Sequence, residues 1–363
     1  MMPAMLPQFG AECLVSDRHG GRPKQPREGD PQMTTRLLTA LALATAAWLT
    51  AAVPATATAA WPERPVQMII PYPPGGATDV IGRILAQRLS TGLGQPVVVE
   101  NKGGAGGNIG AGLVAKARND GYTILMAAMT SHSTMATLEK GRLSYDLLND
   151  LTAVQVVGYV PLVFVVHPSV PAKTFSELVA YAKANPGKLN YASSGAGAPQ
   201  RMAAELFRKQ ANAEMIHVPY KGSGPAMTDL VGGQVNLMAE TVPAALQFVK
   251  SGKLRALAVT TAEKISMLPE VPTVAESGGI WKDFEVVSTF GVMVPQGTPP
   301  PVVQRLNAEL AKIMQDAEAK EQMLGQGVYA LAPQTPDKAA ARLRDEVSRW
   351  AKVIGEAGIV SDN

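Results

Sequence analysis

The groups best placed for chemistry in this chain belong to the backbone. Pro71-Tyr72-Pro73-Pro74-Gly75-Gly76-Ala77-Thr78-Asp79 follows the apolar run Met68-Ile69-Ile70 and precedes Val80, Ile81, Ile84, Leu85 and Leu89, which recur at helical spacing. A strand that ends at a helix start leaves several N–H groups unpaired at the positive end of the helix dipole. That is a natural seat for an anion such as a carboxylate. Gly75 and Gly76 let a ligand approach the backbone, and the two prolines before them fix the turn in advance. The plain alternative is an ordinary strand–helix turn with Asp79 as its N-cap.

The side chains offer little for catalysis or metal binding. His132, His167 and His217 pair with no other His, Asp or Glu at metal-ligand spacing. The glycine loop Asn101-Lys102-Gly103-Gly104-Ala105-Gly106-Gly107-Asn108-Ile109-Gly110 invites a dinucleotide reading, but Ile109 stands where the third glycine belongs. No Walker lysine with Ser or Thr follows, so no cofactor is expected. Ala192-Ser193-Ser194-Gly195-Ala196-Gly197 lacks the first glycine of a nucleophile elbow. Ser193 and Ser194 therefore suit hydrogen bonding to a carboxylate, or capping a helix at Pro199, better than attack, and no base is placed for either. Glu240 at a strand end would meet a ligand ammonium or hydroxyl, or be a surface carboxylate. Lys221 offers charge to an acid ligand, although exposed lysines usually do nothing specific.

Around these groups, strands and helices alternate from Trp61. Strands are expected at Val66–Tyr72, Pro96–Glu100 and Tyr122–Met129, with helices at Asp79–Leu89 and from the glycine loop to Arg118. Such order implies a parallel sheet with ligands beyond the carboxyl ends of its strands. The proline loop, the glycine loop with Asn108, and a polar loop Thr130-Ser131-His132-Ser133-Thr134 all fall there, adding Thr130 and Ser131 as candidates. A second run of the same alternation starts at Leu162–Pro168 and ends at Leu254–Thr260, again emptying into Ser/Gly loops that open helices. Val286–Pro295 resembles 162–168, and the two read as paired crossings between domains. The expected division is 60–162 with 288–363 as a discontinuous first domain and 163–287 as the second. Helices are expected at Pro300–Gln315, Ala317–Leu324 and Pro336–Ala357. Two lobes facing anion loops across a hinge make a clamshell.

The chain has 363 residues, 46% of them hydrophobic, enough for one large core or two smaller ones. A net charge of +3 and 5% aromatics argue against a nucleic-acid surface. The one cysteine, Cys13, allows neither a disulfide within the chain nor a thiolate metal site. Met33-Thr34-Thr35-Arg36, the uncharged run Leu37 to Val53 and the small-x-small pattern Ala57-Thr58-Ala59 read as an export signal over 33–59. Residues 1–32 suit no exported start and are expected to be a disordered or spurious leader.

At this point the ordered segments carry a likeness. Pro71–Asp79, Gly104–Gly110, Asp120-Gly121-Tyr122-Thr123, Val166-His167-Pro168-Ser169, Ala184-Asn185-Pro186-Gly187-Lys188, Ala192–Gly195, Val218-Pro219-Tyr220-Lys221-Gly222 and Ser251–Thr260 together resemble the Bug family of tripartite tricarboxylate transporter substrate-binding proteins. The resemblance implies an α/β fold of two lobes, the type II periplasmic-binding-protein or Venus flytrap architecture. It implies a monomeric periplasmic receptor that closes on a small carboxylate and delivers it to a large and a small membrane subunit, with no reaction catalysed. Ligand contacts carry over to Tyr72, Pro74, Gly75, Gly76, Ala77 and Asp79, with Thr78 in the same loop. In the second lobe they carry over to Ser193, Ser194, Gly195 and Gly197, then Tyr220 and Lys221. Two positions depart from the family pattern: Arg201 stands where histidine is common, and Ala239-Glu240 where Phe-Asp is usual. These bear on which acid fits more than on the fold. Competing functions are a periplasmic sensor that hands the acid to a signalling partner and a serine-dependent α/β enzyme using Ser193 or Ser194.

Overall fold

The computed structural model describes residues 61–361. The expected leader, the signal segment and Cys13 lie outside the described residues. From Val66 the alternation of apolar runs with Pro/Gly breaks gives strand β1 (Val66–Ile70), helix α1 (Ala77–Leu93), β2 (Val97–Asn101), α2 (Asn108–Ala115), β3 (Thr123–Ala128) and α3 (Met129–Leu138). Both β2 and β3 lie parallel to β1. The apolar face of α1 (Ile81, Ile84, Leu85 and Leu89) packs on Val66, Met68 and Ile70, and α1 stops where Gly94 takes φ +69°.

The next strand, β4, runs from Leu151 to Val166. It begins at Leu151 rather than at the expected Leu162. Register shifts between Ala153 and Gln155 and between Val156 and Gly158 break the period of two, which hides its first half in the sequence. The second run then follows: α4 (Phe175–Ala184), β5 (Leu189–Ser193), α5 (Pro199–Ala211), β6 (Met215–Pro219), α6 (Ser223–Val231), β7 (Leu237–Thr241), α7 (Val242–Lys250) and β8 (Arg255–Val259). The chain closes with β9 (Val287–Pro295), α8 (Pro300–Gln315), α9 (Ala317–Gly325), β10 (Tyr329–Ala330) and α10 (Pro336–Ala357).

Strand order is β2-β1-β3-β9-β4-β7-β5-β6, with β8 and β10 also on β4. The length of β4 is what joins the two halves. It pairs antiparallel with β9 as far as Pro161↔Val287. From Leu162 onward it pairs with β7 and β8 instead. One half of the core gathers Met68, Ile70, Val157 and Phe290; the other gathers Phe164, Phe175, Phe207 and Phe284. Helix α10 belongs to both. Its Ala339 and Leu343 pack with Ile69, Leu125 and Met293, while its Trp350 and Ile354 enter the phenylalanine cluster of the second lobe. The expectation that 288–363 stays within the first lobe thus meets a helix that spans both.

Candidate functional site

The turn after β1 is held by a small polar network. The Asp79 carboxylate accepts from the Gly75 N–H (3.0 Å), from Asn101 Nδ2 (2.8 Å) and from Arg83 Nε (3.0 Å). Asn101 also donates to the Tyr72 carbonyl at 2.9 Å. Gly75 sits at φ +91°, where a side chain would be strained. Burial pushes the Asp79 carboxyl up, but hydrogen bonds from Arg83, Gly75 and Asn101, with the Arg83 charge, hold it below the usual carboxylate range. Asp79 therefore shapes the turn from behind. The Tyr72 hydroxyl donates to the Gly106 carbonyl at 2.9 Å, tying the proline loop to the glycine loop. Burial pushes its phenol up to about 12.

This turn faces a cavity of about 890 Å³ between the lobes. Its wall brings together Tyr72, Pro74, Gly75, Gly76, Ala77, Thr78 and Ser131 of the first lobe with Ser194 and Gly197 of the second. Among the described residues it carries no Asp, Glu, Lys, Arg or His. The remaining sequence candidates lie off this wall. Asp79 is behind the turn, and Asn108 is buried, accepting from the Tyr145 hydroxyl at 2.9 Å. Thr130 is buried too; its Oγ1 accepts from the Thr289 N–H at 3.0 Å and lies 2.5 Å from a Glu346 carboxylate oxygen. The Gly195 carbonyl accepts from the Ala198 N–H. The Tyr220 hydroxyl donates to Asp229 at 2.7 Å, and Lys221 is exposed. Glu240 is completely buried, so the reading of it as a surface carboxylate is overturned.

Ser193 is fully buried, with its Oγ 2.7 Å from His217 Nε2. The sequence places no base for Ser193; strand pairing supplies one, since β6 lies parallel beside β5. The contact lies off the cavity wall, and no attacking trajectory reaches a hydroxyl with zero exposure.

The expected polar loop Thr130–Thr134 is instead the first part of α3, because β3 passes straight into a helix at Ala128. Its run of Ser and Thr reads as a loop by composition, yet Thr130, His132, Ser133 and Thr134 are all buried. Thr134 Oγ1 lies 2.8 Å from the Ser131 carbonyl and 2.6 Å from that of Gly197.

Five helices begin on the cavity. The N-caps of α1, α3, α5, α6 and α7 are Gly76, Ala128, Ala198, Gly222 and Thr241, and all five line it. None of these ends has a side-chain cap. Where side chains do cap helices, at Thr174, Asp316 and Thr335, the helix starts away from the cavity. The amino ends of these helices are thus the wall's electropositive feature, through the helix dipole even where Pro199, Pro225 and Pro243 remove an N–H from the first turn. Each such end stabilises an anion by about 0.3–1 kcal/mol, and more when partly buried. Gln200, Ser223 and Thr241 on this wall were missed by sequence reading, as were Ser288 and Phe290 from β9. The first three sit where helices follow β5, β6 and β7, so the rule that ligands lie beyond strand carboxyl ends could have found them.

The model of the tripartite tricarboxylate transporter family receptor matches residues 81–359. The chain belongs to this family. Among curated relatives, Protein BugT of Bordetella pertussis is 40% identical over 298 residues, which is 82% of this chain and 90% of BugT. Among solved structures, R. palustris Rpa4515 with adipate is 34% identical with a TM-score of 0.73, covering 83% of this chain and 99% of that one. The periplasmic binding protein BugD is 37% identical with a TM-score of 0.71, covering 83% of this chain and 100% of BugD. The fold of this family member is the two-lobed α/β architecture of periplasmic binding proteins, as the Bug resemblance implied.

Proposed function

We propose that this protein is a periplasmic solute receptor that binds a small carboxylate and delivers it to the membrane subunits of a tripartite tricarboxylate transporter. The observation that carries this reading is the convergence of five uncapped helix amino ends on a cavity whose wall has no charged side chain. Such a site neutralises an anion with backbone dipoles fixed before binding, at little entropic cost. Family membership and the adipate-bound relative favour a carboxylate as that anion. No bond is made or broken in this reading: Ser193 is buried off the cavity wall, and the wall groups are neutral hydrogen-bonding or apolar side chains.

The test is a thermal-shift and calorimetric screen with mono-, di- and tricarboxylates and amino acids. Ligand binding to the folded state alone raises the melting temperature, by an amount that grows with the logarithm of ligand concentration above Kd. At least one acid should give a concentration-dependent shift of several degrees and a saturable calorimetric isotherm, without turnover. No shift across the panel would remove the reading.

A further inference from the structure

One wall residue has a hydrogen-bonding direction fixed from behind. Gln200 lines the cavity at the start of α5. Its Nε2 donates to Glu240 Oε1 at 3.0 Å and lies 3.4 Å from Ser223 Oγ. Glu240 Oε1 also accepts from the Thr241 N–H at 2.6 Å. Both N–H directions of the Gln200 amide are therefore occupied, and no described residue donates to its carbonyl oxygen. Turning the amide over would press that carbonyl against a carboxylate oxygen, two acceptors with no proton between them. Glu240 is fully buried one layer behind the wall, and its Oε2 has no partner among the described residues.

We propose that Glu240 is a positioning residue that holds the Gln200 carbonyl toward the cavity, so that the bound acid carries a hydrogen-bond donor, a hydroxyl or an ammonium, where it meets the second lobe. The inference rests on the carboxylate-receptor reading and adds to it the chemistry of the ligand's other end. The helix ends of the first lobe take the carboxylate. Behind the amino ends of α5 and α7 the Glu240 carboxyl already takes the Thr241 N–H, so a hydrogen-bond donor meets the Gln200 carbonyl there better than a second carboxylate would. An acid lacking the donor would leave the Gln200 carbonyl desolvated and unpaired, which is the kind of loss that discriminates strongly between close analogues.

The experiment compares matched acids by calorimetry: succinate with its 2-hydroxy and 2-amino derivatives, and the corresponding six-carbon set. In the native protein at least one donor-bearing acid should bind about tenfold or more tightly than its parent, or roughly 1.4 kcal/mol. In Glu240→Gln, whose amide can donate to Gln200 and let it turn over, that ratio should fall to within about twofold while the parent acid binds nearly as before. Gln200→Met, on the wall itself, should abolish the preference in the same way and guards against a folding defect in the buried variant. A native protein that binds parents and derivatives equally overturns this inference alone. So does a preference that survives in both folded variants. Failure of every acid to bind overturns the receptor reading and this inference with it.

Discussion

The Thr134 hydroxyl lies 2.6 Å from the carbonyl of Gly197, joining the first-lobe helix α3 to the second-lobe loop before α5. Gly197 is also where a Cβ would lie 2.5 Å from Met135 Cγ. At this point the lobes meet at a buried hydrogen bond beside a contact that only glycine permits; Ser266 Oγ and the Tyr329 hydroxyl, 3.1 Å apart, make another contact between them. Thr134→Val keeps the shape and removes the donor, leaving the carbonyl unpaired when the lobes approach. That costs about 1–3 kcal/mol in the closed arrangement. Ligand affinity should fall about tenfold or more, with dissociation faster and thermal stability without ligand changed little. Stopped-flow release of the best acid from the screen checks this, and an unchanged rate would show that the bond does not hold the lobes.

Gly76 tests the seat itself. It caps α1 with φ −80°, a value any residue adopts, and an added Cβ meets nothing within 4 Å. Gly76→Val should fold with a melting temperature close to native, because the side chain projects into open cavity. Once there it blocks approach to the amino end of α1, so binding should be lost or weakened at least a hundredfold. Circular dichroism and calorimetry on the same sample separate the two effects; native affinity in a folded variant refutes the placement.

Asp79 tests the frame behind the seat. Asp79→Asn keeps the size but cannot accept from Gly75, Asn101 and Arg83 together. Loss of this buried network should destabilise the fold by about 1–3 kcal/mol. It should also weaken binding by loosening the turn. Arg83→Gln, which removes only the half-exposed partner, should cost much less. Urea denaturation of both variants gives the comparison, and equal losses would argue against a network centred on Asp79.

Most of the secondary structure was legible because punctuation and periodicity agree locally. Pro336–Ala357 was read with the observed limits, from Leu343, Val347, Trp350 and Ile354 on one face and a Pro at its start. The proline–glycine turn was legible for the same reason, and the structure sets it on the cavity wall. What sequence could not show depends on partners distant in the chain. Ser193 meets His217 only through the pairing of β5 with β6. Asn101 reaches the Tyr72 carbonyl across β1 and β2. Glu240 differs from a surface carboxylate only by what covers it. The first turn of α3 was misread because Ser and Thr favour loops by local competition for backbone hydrogen bonds, a preference that burial overrode here.

His132 offers a test of the core beneath the proline loop. It is fully buried on α3, its ring stacked 6.5 Å from that of Tyr72. Neither ring nitrogen has a hydrogen-bond partner among the described residues. Burial pushes its pKa down to about 4, against about 6.5 for an unfolded histidine. The folded state therefore holds the ring neutral while the unfolded chain takes up a proton. Stability from this group is complete above about pH 6.5 and is lost as pH falls toward 4, by roughly 3 kcal/mol in all. Asp79, depressed below the usual carboxylate range, contributes its loss only at lower pH. Glu240 and Glu346, both raised by burial, act in the opposite sense, since they favour folding more as pH falls. A native titration mixes these trends, so the variant His132→Leu is the reference. The stability difference between native and variant should narrow or reverse in the variant's favour from pH 7 to pH 4.5, as measured by urea denaturation. A difference that stays flat would mean that the buried ring does not titrate in this range.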